Sequence, residues 1–176
     1  MALSRPRPAD PAAAARLAGL TLPEGGGWLG AARASALARL MAAGLPGRRD
    51  EYWRYTDPAP FNGAEPAAAA LFRHADGPVF DAIDRLRLVF VDGVFDAAAS
   101  DDPALAGVEI ERLAVAGGAD IHWARDLYGA LEARGQDPVA RPHATLNTAC
   151  ATDGLLIRAT GGAAAAAARP VSLIYR

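Results

Sequence analysis

The residues that could carry chemistry are few, and they lie far apart in the chain. Cys150 is the single cysteine, and the histidines are His74, His122 and His143. A cysteine nucleophile needs a neighbouring base, but His143 lies seven residues before Cys150, which is about 10 Å along a helix. The two side chains would share a helix face without meeting. Histidines and carboxylates show no i, i+3 or i, i+4 pair with a third ligand nearby, so we predict no metal site.

The other candidate motifs lack the structural context that their chemistry requires. Residues 25–30 read G-G-G-W-L-G and satisfy G-x-G-x-x-G. A dinucleotide site needs a buried strand before the glycines, and residues 20–24 make a poor strand. Adjacent acids such as Asp101 and Asp102 point in different directions and cannot share a proton. We therefore predict no catalytic, cofactor-binding or metal-binding residue, and a protein that is not an enzyme.

Composition and charge narrow the class of protein. The chain has 176 residues, with 18 basic and 20 acidic side chains and a formal net charge of −2. Nucleic-acid-binding proteins need a dense basic face, which this balance does not supply, so we predict no nucleic-acid partner. The absence of a run of about 18 strongly apolar residues argues against a membrane span or a signal peptide. We expect a cytoplasmic protein with no membrane partner.

Hydrophobic periodicity predicts two well-defined helices. Apolar side chains recur at helical spacing over residues 28–43, and Gly44 is placed to end this helix in a left-handed conformation. Arg33 lies on the same face, where we expect its stem along the core edge and its guanidinium in water. A second helix is predicted over residues 120–134, with His122 on its polar face in solvent.

The rest of the chain predicts strands and shorter helices. Asp92 and Gly93 separate two short apolar arms, a pattern typical of a tight β-hairpin. Further strands are expected at residues 108–113, 155–159 and 171–175, and shorter helices at 6–22 and 142–149. We therefore predict an α+β fold in two parts. Residues 1–66 form a helical amino-terminal region, and residues 67–176 form a mixed α/β segment.

Aromatic residues are concentrated among the glycines and prolines of residues 44–66. A disordered linker would lack such rings, each of which can bury a large area against a neighbouring surface. We predict an extended segment that buries Trp53 and Tyr55 on one side, while Arg49 and Glu51 bridge to neighbouring backbone or charge. These four residues are candidates for a structural clasp or for a surface that faces a partner.

Four segments, in matching order, resemble one known family. They are G-L-P at 44–46 continuing to R-D-E-Y-W-R-Y-T-D at 49–57, L-V-F-V-D-G-V-F at 88–95, L-N-T-A-C-A-T-D-G at 146–154 and R-P-V-S-L-I-Y at 169–175. Together they resemble the amino-terminal part of the SufD family, whose members are subunits of the Suf machinery for iron-sulfur cluster assembly. The resemblance covers most of the chain, from Arg16 to Arg176.

This resemblance implies a non-catalytic scaffold. Family members pair with the related SufB through a long right-handed parallel β-helix and with the ATPase SufC through a carboxy-terminal region. SufB-like and SufC-like proteins are therefore the implied partners. An iron-sulfur cluster is implied for the full assembly, and no cofactor for this chain. We expect residues 67–176 to contain the first strands of the β-helix, in a chain that is a truncated part of the family's length.

Two other interpretations stay open. The strand expected at residues 171–175 would have an uncovered apolar edge, and such edges pair with other chains. The chain would then be a free-standing module that associates with itself through this strand. The third interpretation is a small cysteine- or metal-dependent hydrolase, which requires His143 within hydrogen-bonding reach of Cys150.

Overall fold

Helices and short strands are mixed along the chain, so the predicted α+β fold class is confirmed. The computed structural model describes residues 11–64, 80, 82–134, 140–161 and 168–176. His74 and the part of the first expected helix before residue 11 lie outside the described residues. Within the described ranges, no helix combines the length and the apolar character needed to cross a membrane.

The described residues form six α-helices and five β-strands. The helices are α1 (Pro11–Ala18), α2 (Gly27–Ala43), α3 (Ala59–Asn62), α4 (Leu113–Ala116), α5 (Ala130–Ala133) and α6 (Pro142–Cys150). The strands are β1 (Leu86–Val91), β2 (Val94–Asp96), β3 (Glu109–Arg112), β4 (Leu155–Arg158) and β5 (Val171–Tyr175). Single 3₁₀ turns occur at Glu51–Trp53, Pro103–Ala106 and Trp123–Asp126.

The chain divides into two compact units, each assembled from separate stretches of sequence. The first unit draws on Met1–Glu24, Leu29–Ala70 and Arg125–Cys150. The second draws on Gly25–Trp28, Leu71–Ala124 and Ala151–Arg176. The domain boundary predicted after residue 66 falls outside the described residues and stays a prediction.

Leucines supply the core of the first unit. One cluster of buried residues consists of Ala13, Leu40, Leu45 and Leu146, against which Leu17, Leu20 and Cys150 pack. Alanine removes little apolar area from water, so the leucines provide most of the hydrophobic stabilisation here. The helix predicted at residues 28–43 is confirmed as α2. Gly44 follows it in the predicted left-handed conformation, and its N–H donates to the Leu40 carbonyl at 2.8 Å.

Strand β1 is the centre of the larger sheet in the second unit. It pairs antiparallel with β2 and parallel with β5. Leu86, Leu88, Val89 and Phe90 are its buried residues. The predicted hairpin joins β1 to β2, because the two residues between the strands both have positive φ and form a tight turn. A second sheet contains only β3 and β4, which are antiparallel.

One carboxylate ties the two strands of the smaller sheet to the backbone around them. The Asp153 side chain is nearly buried and accepts a hydrogen bond from Arg112 Nε at 2.8 Å. It also accepts from the backbone N–H of Ala114 at 3.1 Å and of Gly154 at 2.8 Å. Hydrogen bonds to a charged acceptor are among the stronger ones in proteins. The Asp153 side chain therefore adds to the backbone pairing that joins the end of β3 to the start of β4.

The single helix predicted over residues 120–134 is wrong. The chain instead forms the 3₁₀ turn at Trp123–Asp126 and the short helix α5, with Gly129 between them at a φ of 70°. Two apolar residues that this helix would have buried are open to solvent, since Ile121 is 89% exposed and Leu131 is 80% exposed, whereas Ala124 is buried. A left-handed residue ends the regular i to i−4 hydrogen bonding of a helix, so the apolar spacing could not produce one continuous element.

The substitution Gly129→Ala tests this interruption. A Cβ at residue 129 would lie 2.8 Å from Thr148 Cγ2, and the positive φ is strained for any residue with a side chain. We expect the free energy of unfolding, measured by urea denaturation, to fall by more than about 1 kcal/mol. Gly26→Ala is the matched control, because no atom lies within 4 Å of its added Cβ. An unchanged urea midpoint for Gly129→Ala would contradict the requirement for a left-handed residue.

Candidate functional site

Residues 49–57, which carry the longest part of the family resemblance, fold as a compact turn. Asp50 Oδ2 accepts a hydrogen bond from the Gly47 N–H at 2.6 Å, and the Trp53 N–H donates to the Asp50 carbonyl at 2.8 Å. These bonds close the 3₁₀ turn at Glu51–Trp53. The extended conformation predicted for this segment is wrong, because an aspartate side chain that bonds to nearby backbone favours a turn.

Trp53 is the inward-facing residue of this turn. Its partly buried ring lies 5.1 Å from the His143 ring on α6 and 6.0 Å from the Phe61 ring on α3. We call these three residues the aromatic cluster. Arg16 of α1 donates to the Phe61 carbonyl and, at 3.1 Å, to the Gly63 carbonyl. Segments distant in sequence therefore meet at one group of rings, whose tilted and edge-on contacts are favourable.

Arg49, Glu51 and Tyr55 lie on the solvent side of the same segment. Tyr55 is 90% exposed, and the Arg54 guanidinium lies 5.5 Å from its ring centroid. The predicted burial of Tyr55 beside Trp53 is therefore wrong, since a helical turn does not alternate its side chains as a strand does. The structure does not bring the four candidate residues together. We call the exposed three, Arg49, Glu51 and Tyr55, the outer motif surface.

This division of the motif predicts different effects for two aromatic substitutions. Trp53→Ala is expected to lower the free energy of unfolding by about 2 kcal/mol, less than the roughly 3–5 kcal/mol for a fully buried aromatic residue. Tyr55→Ala is the matched control and is expected to stay within about 0.5 kcal/mol of the wild type. Urea denaturation and thermal melting measure both. Equal losses of unfolding free energy for the two variants would contradict the assignment of Trp53 to the inner side of the turn and Tyr55 to the solvent side.

His143 is the member of the aromatic cluster that can change its charge near neutral pH. Burial lowers the pKa of His143 below its ordinary value of 6.5, and the Arg16 guanidinium lowers this pKa further. Among the described residues, its Nε2 atom is buried without a hydrogen-bond partner. A charged imidazolium here would lose hydration without gaining a partner, so the folded protein favours the neutral ring.

The stability of the protein should therefore depend on pH through His143. The unfolded chain binds a proton near pH 6.5, whereas the folded chain binds it at lower pH. The stabilisation is fully present above pH 6.5 and is lost as the pH falls towards the pKa of the folded state. Urea denaturation between pH 8 and pH 5 should show this loss in the wild type and a smaller one in His143→Phe. If the unfolding free energies of the two proteins fell equally with pH, this dependence on His143 would be contradicted.

Arg33 is buried within the first unit, so the prediction that its guanidinium lies in water is wrong. It forms a hydrogen bond with Tyr128, whose hydroxyl donates to the Thr148 carbonyl at 2.7 Å. Burial raises the pKa of Tyr128, and the nearby Arg33 charge partly offsets this rise. Because the buried guanidinium has a polar partner there, it need not reach solvent.

Cys150 and His143 have different neighbours, although α6 carries both. Cys150 packs against the leucine core, whereas His143 belongs to the aromatic cluster. Burial raises the pKa of the Cys150 thiol above its ordinary value of 9.0, while the charges of Arg16 and Arg33 act in the opposite direction. The thiolate is the reactive form of cysteine, so a raised pKa disfavours a nucleophilic role.

A second group of polar side chains lies in the second unit. Glu109, Glu111 and His122 each offer one oxygen or nitrogen atom, and these atoms lie within 4.8 Å of one another. We call these residues the Glu-His cluster. His122 Nε2 is 3.0 Å from Glu111 Oε2. Our sequence prediction missed this group because it considered helical spacings only, whereas acids two residues apart on a strand share a face.

The His122 ring is enclosed, so the prediction of a solvated histidine is wrong. Only 8% of its side chain is exposed. The Trp28 ring stacks on it at 5.7 Å with an interplanar angle of 10°, and the Trp123 ring lies 5.2 Å away. The Ala124 N–H donates to His122 Nδ1 at 3.1 Å. These contacts fix both the position and the orientation of the imidazole.

The chain is thus a small α+β protein in which each unit contains a cluster built around a histidine ring. Comparison with protein-family models gives no match, and comparison with curated proteins gives none either. These comparisons therefore assign the chain to no family, and the resemblance to SufD proteins depends on the four sequence segments.

Proposed function

We propose that the chain is the amino-terminal part of a SufD-like scaffold subunit for iron-sulfur cluster assembly. Its role would be architectural and non-catalytic, and its location cytoplasmic. The observation that carries this proposal is where the matching residues lie. Gly44 ends α2, Trp53 belongs to the aromatic cluster, and Asp153 ties β3 to β4. Residues that direct the backbone in this way are the ones that a scaffold family would share.

The segments at 88–95 and 169–175 support the same proposal. The first supplies most of β1 and β2, and the second supplies β5. Strands β1 and β5 pair in parallel, from Leu86 with Val171 to Phe90 with Tyr175. Parallel neighbours need a long crossover connection rather than a tight turn. The first coil of a parallel β-helix would require such pairing. We propose that β1 and β5 are the first strands of that β-helix.

A non-catalytic role agrees with the chemistry of the first unit. The raised pKa of Cys150 disfavours its thiolate, and the contacts of His143 are with aromatic rings. A protein-bound iron-sulfur cluster takes several cysteine ligands, and this chain has one. A cluster would therefore be held by the full assembly, with SufB-like and SufC-like proteins as the partners.

The outer motif surface is the candidate for contact with a protein of this assembly. It adjoins a groove of about 240 Å³, whose lining includes Leu45, Pro46, Tyr52 and Pro142. Tyr52 is itself largely exposed. Aromatic and arginine side chains are enriched at protein interfaces, and a groove lined by both polar and apolar residues beside them offers a place for a partner side chain.

A pull-down with SufB-type and SufC-type proteins tests the proposal. It should compare this 176-residue chain with the product of the complete reading frame. We expect the complete product to retain both partners. If the short chain also retains one, Tyr55→Ala should weaken retention by removing an exposed contact, whereas Leu131→Ala, an exposed control outside the motif, should not. Failure of both products to retain either partner would contradict the scaffold role.

One observation favours the alternative of a self-associating module. Strand β5 pairs with β1 along one edge, and among the described residues no strand pairs with its other edge. Leu173 and Tyr175 of this strand are partly or largely exposed. Uncovered strand edges are templates for pairing with a second chain. Sedimentation of the chain as a single dimeric species would favour this module, and sedimentation as a monomer would argue against it.

A further inference from the structure

We propose that the Glu-His cluster of the second unit binds one divalent transition-metal ion, with zinc as the reference ion. This function is separate from the scaffold role, because it depends on Glu109, Glu111 and His122 alone. Two carboxylates and one imidazole are a donor set that zinc and neighbouring first-row ions accept. Three protein ligands leave a coordination position for water, so the site would be an open one.

The backbone places the two carboxylates on one side of the sheet. Glu109 and Glu111 alternate with Ile110 on β3, and β4 fixes the register of this strand. Their donor atoms and that of His122 lie within 4.8 Å of one another. Ligands bound about 2.0–2.2 Å from a zinc ion lie roughly 3–4 Å apart. A small movement of flexible glutamate side chains would therefore close the site around an ion.

Neighbouring groups already orient the proposed ligands. Trp123 Nε1 donates to Glu109 Oε1 at 2.9 Å, which leaves the other oxygen of that carboxylate for an ion. The His122 ring is held by its stacking on Trp28 and by the Trp123 ring. Hydrogen-bonding and packing partners of this kind fix ligand orientation in protein metal sites.

Two existing contacts compete with the ion and should limit its affinity. His122 Nδ1 accepts from the Ala124 N–H, so the neutral ring carries its proton on Nε2, which donates to Glu111. Binding through Nε2 moves this proton to Nδ1 and releases the Ala124 bond, with no net gain or loss of protons. Arg158 Nη1, 3.7 Å from Glu109 Oε2, must also withdraw.

The test is titration of the 176-residue chain with zinc chloride, followed by calorimetry and by tryptophan fluorescence. We expect calorimetry to give one ion per chain. We expect the tryptophan emission to change, since His122 contacts two of the three tryptophans. Glu109→Gln and Glu111→Gln keep the side-chain shape and should each weaken zinc binding by about tenfold or more. His143→Gln is the matched control, because it removes a histidine outside the cluster, and its affinity should equal that of the wild type.

The substitution Arg158→Gln is expected to change the zinc affinity in the opposite direction. It removes the competing cation and should strengthen zinc binding several-fold, a response that nonspecific binding to surface carboxylates would not show. Melting curves without zinc identify any variant that fails to fold. If a glutamine variant of Glu109 or Glu111 does not fold, the zinc affinity of Arg158→Gln is compared with that of the wild type instead. A wild-type chain that binds no zinc at millimolar concentration would overturn the proposal. Equal affinity in the wild type and both glutamine variants would overturn it as well.

Discussion

The Asp153 carboxylate is a nearly buried charge that organises the backbone around the smaller sheet of the second unit. This charge is compensated by the Arg112 guanidinium and by the backbone N–H groups of Ala114 and Gly154. A buried charge is tolerated only when it is paired in this way. By joining the end of β3 to the start of β4, it supports the register in which Arg158 lies opposite Glu109. Glu109 and Glu111 share a face because they lie two residues apart on the strand.

The first unit meets a different constraint, because its apolar residues are mostly small. Leucines fill the core, and arginines connect the elements around it. Arg16 bridges α1 to α3 through backbone carbonyls, and Arg39 of α2 pairs with Glu132 of α5 at 2.5 Å. Glu132 in turn accepts from the Thr145 hydroxyl on α6 at 2.8 Å. The planar guanidinium offers several donors in fixed geometry, which suits it to linking elements that share little apolar surface.

Local signals in the sequence were sufficient for α2, the β1–β2 hairpin and β5, because periodicity and turn residues act over short distances. They failed for residues 120–134, where apolar spacing indicated a helix but Gly129 adopts a left-handed conformation. They also failed for the extended conformation of residues 49–57 and for the burial of Tyr55, since a local aspartate bond closes a turn there. The enclosure of His122 depends on Trp28, which is distant in sequence, so no local pattern could reveal it.

The parallel pairing of β1 with β5 has a consequence for how the protein reaches its native state. Leu86 pairs with Val171, so about 85 residues must be looped out before this ladder can form. Non-local pairing of this kind slows folding, and during synthesis β1 leaves the ribosome long before its partner does. Until β5 arrives, the edge of β1 that β5 will occupy has no strand partner. An unpaired strand edge is a template for pairing with other chains, so the nascent second unit is exposed to aggregation during this interval.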